Sequence, residues 1–110
     1  MARLAARRRQ EEDIRELRRT LALRREKTAA EDTQADIQFH LAIARASHNQ
    51  ILEELYGSLA CYLENHIASR AAQTTMNYEE IDALHENLFQ AILQQDEDQA
   101  ERCAQNILKI

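Results

Sequence analysis

Between Ala35 and Leu52 the chain reads ADIQFHLAIARASHNQIL, a helical run with a carboxylate and an imidazole on its apolar side. Asp36 and His40 are four residues apart, so they leave the same face one turn from each other, with Phe39, Ile43 and Ala46 continuing the stripe. That face is directed at the interior or at a cavity in it. An isolated charge there is too costly to keep, so the pair must be mutually paired, hydrogen-bonded or bound to a metal. A structural Asp–His pair and a ligand site both meet this requirement, and the rest of the chain has to separate them.

The surrounding sequence is helical in character. Over 110 residues there is no Pro and one Gly, Gly57, with few β-branched residues and abundant Ala, Leu, Glu, Gln and Arg. This length makes a single domain with a modest core. No run of 18 apolar residues occurs and the arginines after Met1 lead into no apolar segment, so the sequence offers neither a membrane span nor a secretory signal, and a cytoplasmic location is expected. Cys61 and Cys103 have no CxxC spacing and read as small core or interface residues.

Charge is distributed unevenly. Residues 1–27 carry a net +5 and residues 28–110 a net −10. A basic end on an acidic body is compatible with a nucleic-acid contact. The arginines are not interleaved with aromatic residues that would stack on bases, and Glu11 with Arg15 forms an i,i+4 pair. The remaining arginines are therefore expected on the solvated side of a helix whose apolar stripe is Ile14, Leu17 and Leu21.

In chain order, Ala2 to Arg8 reads as the end of a helix entered midway, hence a truncated first helix. Gln10 to Lys27 follows with Glu11, Glu12 and Asp13 in its first turn, and Thr28 is a candidate cap for Ala29 to Ser47. Asn49 is the expected N-cap of a fourth helix from Gln50 to about Gln73, with Leu52, Leu55, Tyr56, Leu59, Tyr62, Leu63 and His66 on its inward stripe. Gly57, Ala60 and Cys61 make a small-residue patch suited to close approach of another helix. After a loop at Thr74 to Asn77, Tyr78 to Gln94 turns Ile81, Leu84, His85, Leu88 and Ile92 inward. Asp96 opens a last helix, Glu97 to Ile110, with Ala100, Cys103, Ala104 and Ile107 inward. The expected fold is all-α, an antiparallel bundle of about six helices.

Three donors, Asp36, His40 and His85, then converge from two helices. Two imidazoles and a carboxylate suit Zn²⁺, Ni²⁺, Fe²⁺ or Mn²⁺ and leave coordination positions open. His48, at a helix junction, reads as solvent-facing or cap-related, and His66 as a core histidine or a donor to a pocket. The sequence has no phosphate-binding loop and no nucleophile elbow, and Asp82 with His85 occurs once, without the repeat that di-iron bundles require.

Asp36, Phe39, His40, Ala44, Ala46, Ser47, Asn49 and Leu52 resemble the D-x-x-F-H…A-x-A-S-x-N-x-x-L signature of the C-terminal effector domain of FadR-type regulators, in the GntR family of bacterial transcription factors. Leu84 to Ile92 is similar to that family's E-H-x-x-(I/L)-x-x-A-I segment, Gln95-Asp96 with Ala100 to its G-D-x-x-x-A helix start, and Ala2 to Leu17 to its first helix junction. The resemblance implies that residues 1–110 form one effector-binding and dimerising domain, excised from a chain whose winged helix-turn-helix DNA-binding domain precedes it. It further implies a homodimer, a small carboxylate metabolite as effector, often held through a divalent metal, and DNA contact only through the other domain. Asp36, His40 and His85 fall on the family's metal ligands, but the usual fourth, a histidine, falls on Ile107, which cannot ligate. The effector pocket is expected to include Asp36, His40, His85, His66 and Tyr62.

The leading expectation is therefore a ligand-sensing regulatory domain, not an enzyme, with Zn²⁺ as the first metal to consider. Two alternatives are a metal-free helical interaction module and a two-His-one-carboxylate metalloenzyme, the latter without any acid or base placed by a motif.

Overall fold

The computed structural model describes residues 1–26, 29–60, 62 and 78–108, with backbone alone for 25, 26, 29–33, 78 and 108. Among them are six α-helices and no strand: α1 Ala2–Arg8, α2 Glu11–Glu26, α3 Ala29–Ala46, α4 Gln50–Ser58, α5 Tyr78–Leu93 and α6 Glu97–Leu108. None of the described helices is long and apolar enough to cross a membrane. The expected cap at Thr28 lies outside the described residues.

Two helical hairpins, α2 with α3 and α5 with α6, are joined because α2 also packs on α5 and because α1 touches α3, α5 and α6. The centre is filled by Leu17, Phe39, Ile43, Leu88 and Ile92, each almost wholly excluded from water. Ala5 and Ala6 of α1 and Ala100 of α6 are buried at the helix contacts, where small side chains let backbones approach. Cys103 is a buried free thiol in this core, as expected of a small apolar residue.

The helix ends are fixed by local chemistry. Asn49 accepts a hydrogen bond from the Leu52 backbone N–H at 3.2 Å and caps α4, and Asp96 does the same for Gln99 at 3.2 Å at the start of α6. At the end of α5, the Asp96 N–H donates to Ala91 O and the Gln95 N–H to Ile92 O, with Gln95 at φ 59°. This is a Schellman closure with a left-handed residue at the position where glycine is usual. His48 is likewise left-handed, at φ 51°, after α3, and its imidazole pairs with Asp13 at 2.6 Å, so it is a junction residue.

The basic N-terminus is tied into the fold. Arg3 pairs with Asp98 and with Glu101 at 2.6 Å, and Arg7 pairs with Glu97 at 3.1 Å, so α1 matches the acidic start of α6. Arg8 donates to the carbonyls of Ser47 and His48, each at 3.3 Å, and Arg9 to that of Leu93 at 2.8 Å, covering the exposed carbonyl ends of α3 and α5. The surface pairs contribute little each. Their arrangement nevertheless accounts for the charge asymmetry within the domain.

The fourth helix departs from expectation. The described helix closes at Ser58, Leu59 is a turn, and most of the stretch to Gln73 lies outside the described residues, with Cys61, Leu63 and His66. α4 packs on α3 and buries none of its residues completely. Leu52 and Tyr56 are half-buried, while Leu55 and Leu59 of the expected inward stripe are exposed, because no described element covers that side. Gly57 is exposed too, and a Cβ there would meet nothing within 4 Å, so the small-residue patch is not a helix contact within the described chain.

A left-handed non-glycine residue costs on the order of 1 kcal/mol. The exposed Gln95 side chain recovers part of it by donating to Arg7 O at 3.2 Å. Gln95→Gly is expected to raise stability by roughly 0.5–1 kcal/mol and the melting temperature by a few degrees. Calorimetry checks this, and a lower melting temperature would mean that the contact to Arg7 outweighs the backbone strain.

Candidate functional site

α3 and α5 carry the three donors, and α2 adds a group absent from the sequence-based expectation. The apolar stripe of α2, Ile14, Leu17 and Leu21, continues in register to Arg24, whose side chain is 3% exposed. Its Nε donates to Asp36 Oδ1 at 3.0 Å and its Nη1 to Asp82 Oδ1 at 2.6 Å. Arg24 is thus a correction to the expectation that the arginines of α2 lie on the solvated side. The cost of placing it inside is offset by two carboxylates from two other helices.

Asp36 Oδ1 is the focus of the cluster. It lies 2.7 Å from His85 Nε2, 3.7 Å from His40 Nε2 and 3.0 Å from the Arg24 guanidinium. One atom from each of Asp36, His40 and His85 falls within a set no wider than 4.8 Å. The two imidazole rings meet edge to face with centroids 5.5 Å apart, and Phe39 stands against both, at 5.6 Å from His40 and 5.5 Å from His85. Phe39 therefore sets the back wall that orients the two rings.

The state of His85 follows from its partners. The Ile81 carbonyl can only accept, so the hydrogen on His85 Nδ1, 2.8 Å away, donates to it. In a neutral ring Nε2 then carries a lone pair, and it points at a carboxylate oxygen. Nε2 is buried and makes no well-formed hydrogen bond despite its nearness to Asp36. Two lone pairs this close repel unless a proton or a metal ion lies between them. A backbone carbonyl on Nδ1 with Nε2 left free is also the arrangement that orients a metal-binding histidine.

Electrostatics separates the groups. Burial pushes the Asp36 carboxyl up, but protonation of the neighbouring His40, a proton shared with the His85 ring and the Arg24 guanidinium outweigh it and hold the group well below the usual carboxylate range. Burial, reinforced by His85 and Arg24, pushes His40 down to about 4 against the pull of Asp36, so its ring is neutral near pH 7. Burial, then the charge of Asp36, raises the Tyr56 hydroxyl, which stays protonated.

Tyr56 was not among the sequence-predicted pocket residues. Its ring lies 6.5 Å from that of His40. It sits one turn after the cap-proximal Leu52, which is the signal that would have placed it beside α3. Tyr62, expected in the pocket, is 76% exposed, and His66 lies outside the described residues. Ile107 packs against the apolar core and offers no donor.

The donor set fits a divalent ion in type: two imidazole nitrogens and one carboxylate oxygen, with an orphaned buried Nε2 among them. It is one protein ligand short of a closed site, which leaves positions for an exogenous oxygen ligand.

A described chain of helices alone, enclosing a polar cluster in an apolar bundle, defines a helical domain with an internal ligand-type site. The family it belongs to is that of the FCD domain, whose model matches residues 1–109, and the chain is accordingly an effector-binding regulatory domain. No curated protein matches the chain.

Protonation gives a test of the His40 ring. His40 takes up a proton near pH 4 when folded and near its ordinary 6.5 when unfolded, so the unfolded chain binds more protons as the pH falls through that window. Stability is expected to fall from about pH 6.5 to 4, by at most about 3 kcal/mol. Asp36 acts in the same direction but lower, its contribution being lost below its unfolded value near 3.8. Urea unfolding at stepped pH with a chelator present should show the upper limb flattened in His40→Asn. An unchanged limb in the variant would contradict a neutral His40.

Proposed function

We propose that this FCD domain senses a small carboxylate metabolite through a divalent metal held by Asp36, His40 and His85. The observation that carries the reading is the buried Nε2 of His85, fixed in direction by Ile81 and left without a hydrogen bond beside Asp36 and His40. The neutral ring of His40 adds a second available lone pair. Zn²⁺ suits this set best, with Ni²⁺, Fe²⁺ and Mn²⁺ also compatible. When bound, the ion supplies a Lewis-acidic anchor for a carboxylate oxygen at the positions that Ile107 leaves open.

The residues of the chain do the remaining work. Phe39 packs against both rings, and the Ile81 carbonyl fixes the direction in which His85 Nε2 points toward Asp36 and His40. The Tyr56 hydroxyl, kept protonated, is a donor on the α4 side for an acidic ligand. Because the cluster joins α3 to α5, and Arg24 joins both to α2, a ligand there has differential contacts with helix arrangements. That is the requirement for a population shift. In a GntR-type regulator the shift is passed, across a homodimer, to a winged helix-turn-helix domain outside these 110 residues, and it is that domain which contacts DNA.

Equilibrium dialysis against micromolar Zn²⁺, read by elemental mass spectrometry, tests the site. About one ion per native chain is expected, and none in His85→Ala with its helical circular dichroism retained. Hydroxy acids, sugar acids and dicarboxylates are then expected to raise the melting temperature of the metal-loaded chain and not of the metal-free one. Absence of bound metal in the native chain would overturn the metal reading, and carboxylate stabilisation without metal would assign the effector to His40 and His85 directly.

A further inference from the structure

The Arg24 guanidinium sits on the oxygen that a metal would need. It is bonded to Asp36 Oδ1, the same atom that faces His85 and His40, and it reaches Asp82 with another nitrogen. We propose that Arg24 is a resident cation which competes with the metal for Asp36 and so sets the metal affinity of the cluster. This rests on the reading of Asp36, His40 and His85 as a metal site and specifies how that site is regulated from within.

A metal bonded to Oδ1 at about 2.1 Å would stand within roughly 5 Å of the guanidinium. At that distance in a poorly solvated interior, two cations repel by an amount large beside ordinary side-chain interactions. Arg24 has somewhere else to go. Asp82, whose side chain is 29% exposed and already bonded at 2.6 Å, retains the guanidinium if the bond to Asp36 is given up. The bridge Asp36–Arg24–Asp82 is therefore a two-position device. Without metal, the guanidinium spans α3 and α5 from α2, and with metal, it keeps the bond to Asp82 of α5 and gives up the one to Asp36. The arrangement adds to the effect of Ile107. A site short of one imidazole and opposed by a resident cation binds metal weakly and reversibly, so that an anionic effector, which neutralises the excess positive charge, promotes metal binding and is promoted by it.

The test measures Zn²⁺ affinity by competition with a chromophoric chelator for the native chain, Arg24→Gln and Arg24→Lys. Removal of the charge is expected to tighten binding by about tenfold or more, while lysine, which keeps a cation beside Asp36, leaves the affinity near the native value. Should Arg24→Gln fail to fold, nitrogen-detected NMR of the arginine side chains of the native chain gives the answer. The Arg24 Nε–H is expected to be protected from exchange without Zn²⁺ and to shift and lose protection as Zn²⁺ is added. Equal or weaker binding by Arg24→Gln, or an Arg24 resonance indifferent to bound Zn²⁺, would overturn competition while leaving the metal site standing. Absence of Zn²⁺ binding in every folded variant would overturn both.

Discussion

The carboxylate of Asp36 is the constraint on which the interior depends. A negative charge in a core made of Leu17, Phe39, Ile43, Leu88 and Ile92 is tolerable because the Arg24 guanidinium reaches it from α2, and because the nitrogens of His40 and His85 stand close enough to share a proton or a cation with it. Arg24 arrives from α2 and His85 from α5, while His40 stands one turn away on α3 itself. Substituting Arg24 removes the charge partner of Asp36, so this bridge links α2, α3 and α5 in addition to apolar packing. The same convergence makes a site. Groups gathered to neutralise one carboxylate are, by their chemistry, groups able to hold a cation or an acid.

The frame around the cluster is held at its ends. Arginines of α1 cover the carbonyl termini of α3 and α5, and paired charges join α1 to α6, so the helices bearing His40 and His85 are anchored away from the site. The Schellman closure at Gln95 and the cap at Asp96 fix the turn between α5 and α6. α4 is different. It rests on α3 alone among the described helices, with Tyr56 turned toward His40 and its opposite side open. Of the described elements around the site, it is the least constrained by burial, and a ligand that orders it against α3 has the most to change there.

Much of this was legible in the sequence, for physical reasons that differ from residue to residue. The helical period located Asp36, His40 and His85 on inward faces, and the structure brings their donor atoms together. The family pattern puts Gln95 where glycine is usual, and the left-handed backbone there shows what a glycine would be for. The charge of Arg24 points to solvent, whereas its register with Leu17 and Leu21 points inward, and in the structure the register prevails. Partners 12 and 58 positions away, Asp36 and Asp82, are what make it tolerable inside, and no local pattern reveals them. The stripe of α4 misled in the opposite sense, since an apolar face predicts burial only if some other element is there to cover it.

The central claim is that Asp36, His40 and His85 bind an ion together, and X-ray absorption at the zinc edge of the loaded native chain tests it most directly. The account predicts a first shell of nitrogen and oxygen at about 2.0–2.1 Å, with the outer-shell scattering of two imidazole rings and no sulfur. Sulfur at about 2.3 Å would assign the ion to cysteine instead, and an all-oxygen shell without ring scattering would place it away from His40 and His85. Either result would contradict the account.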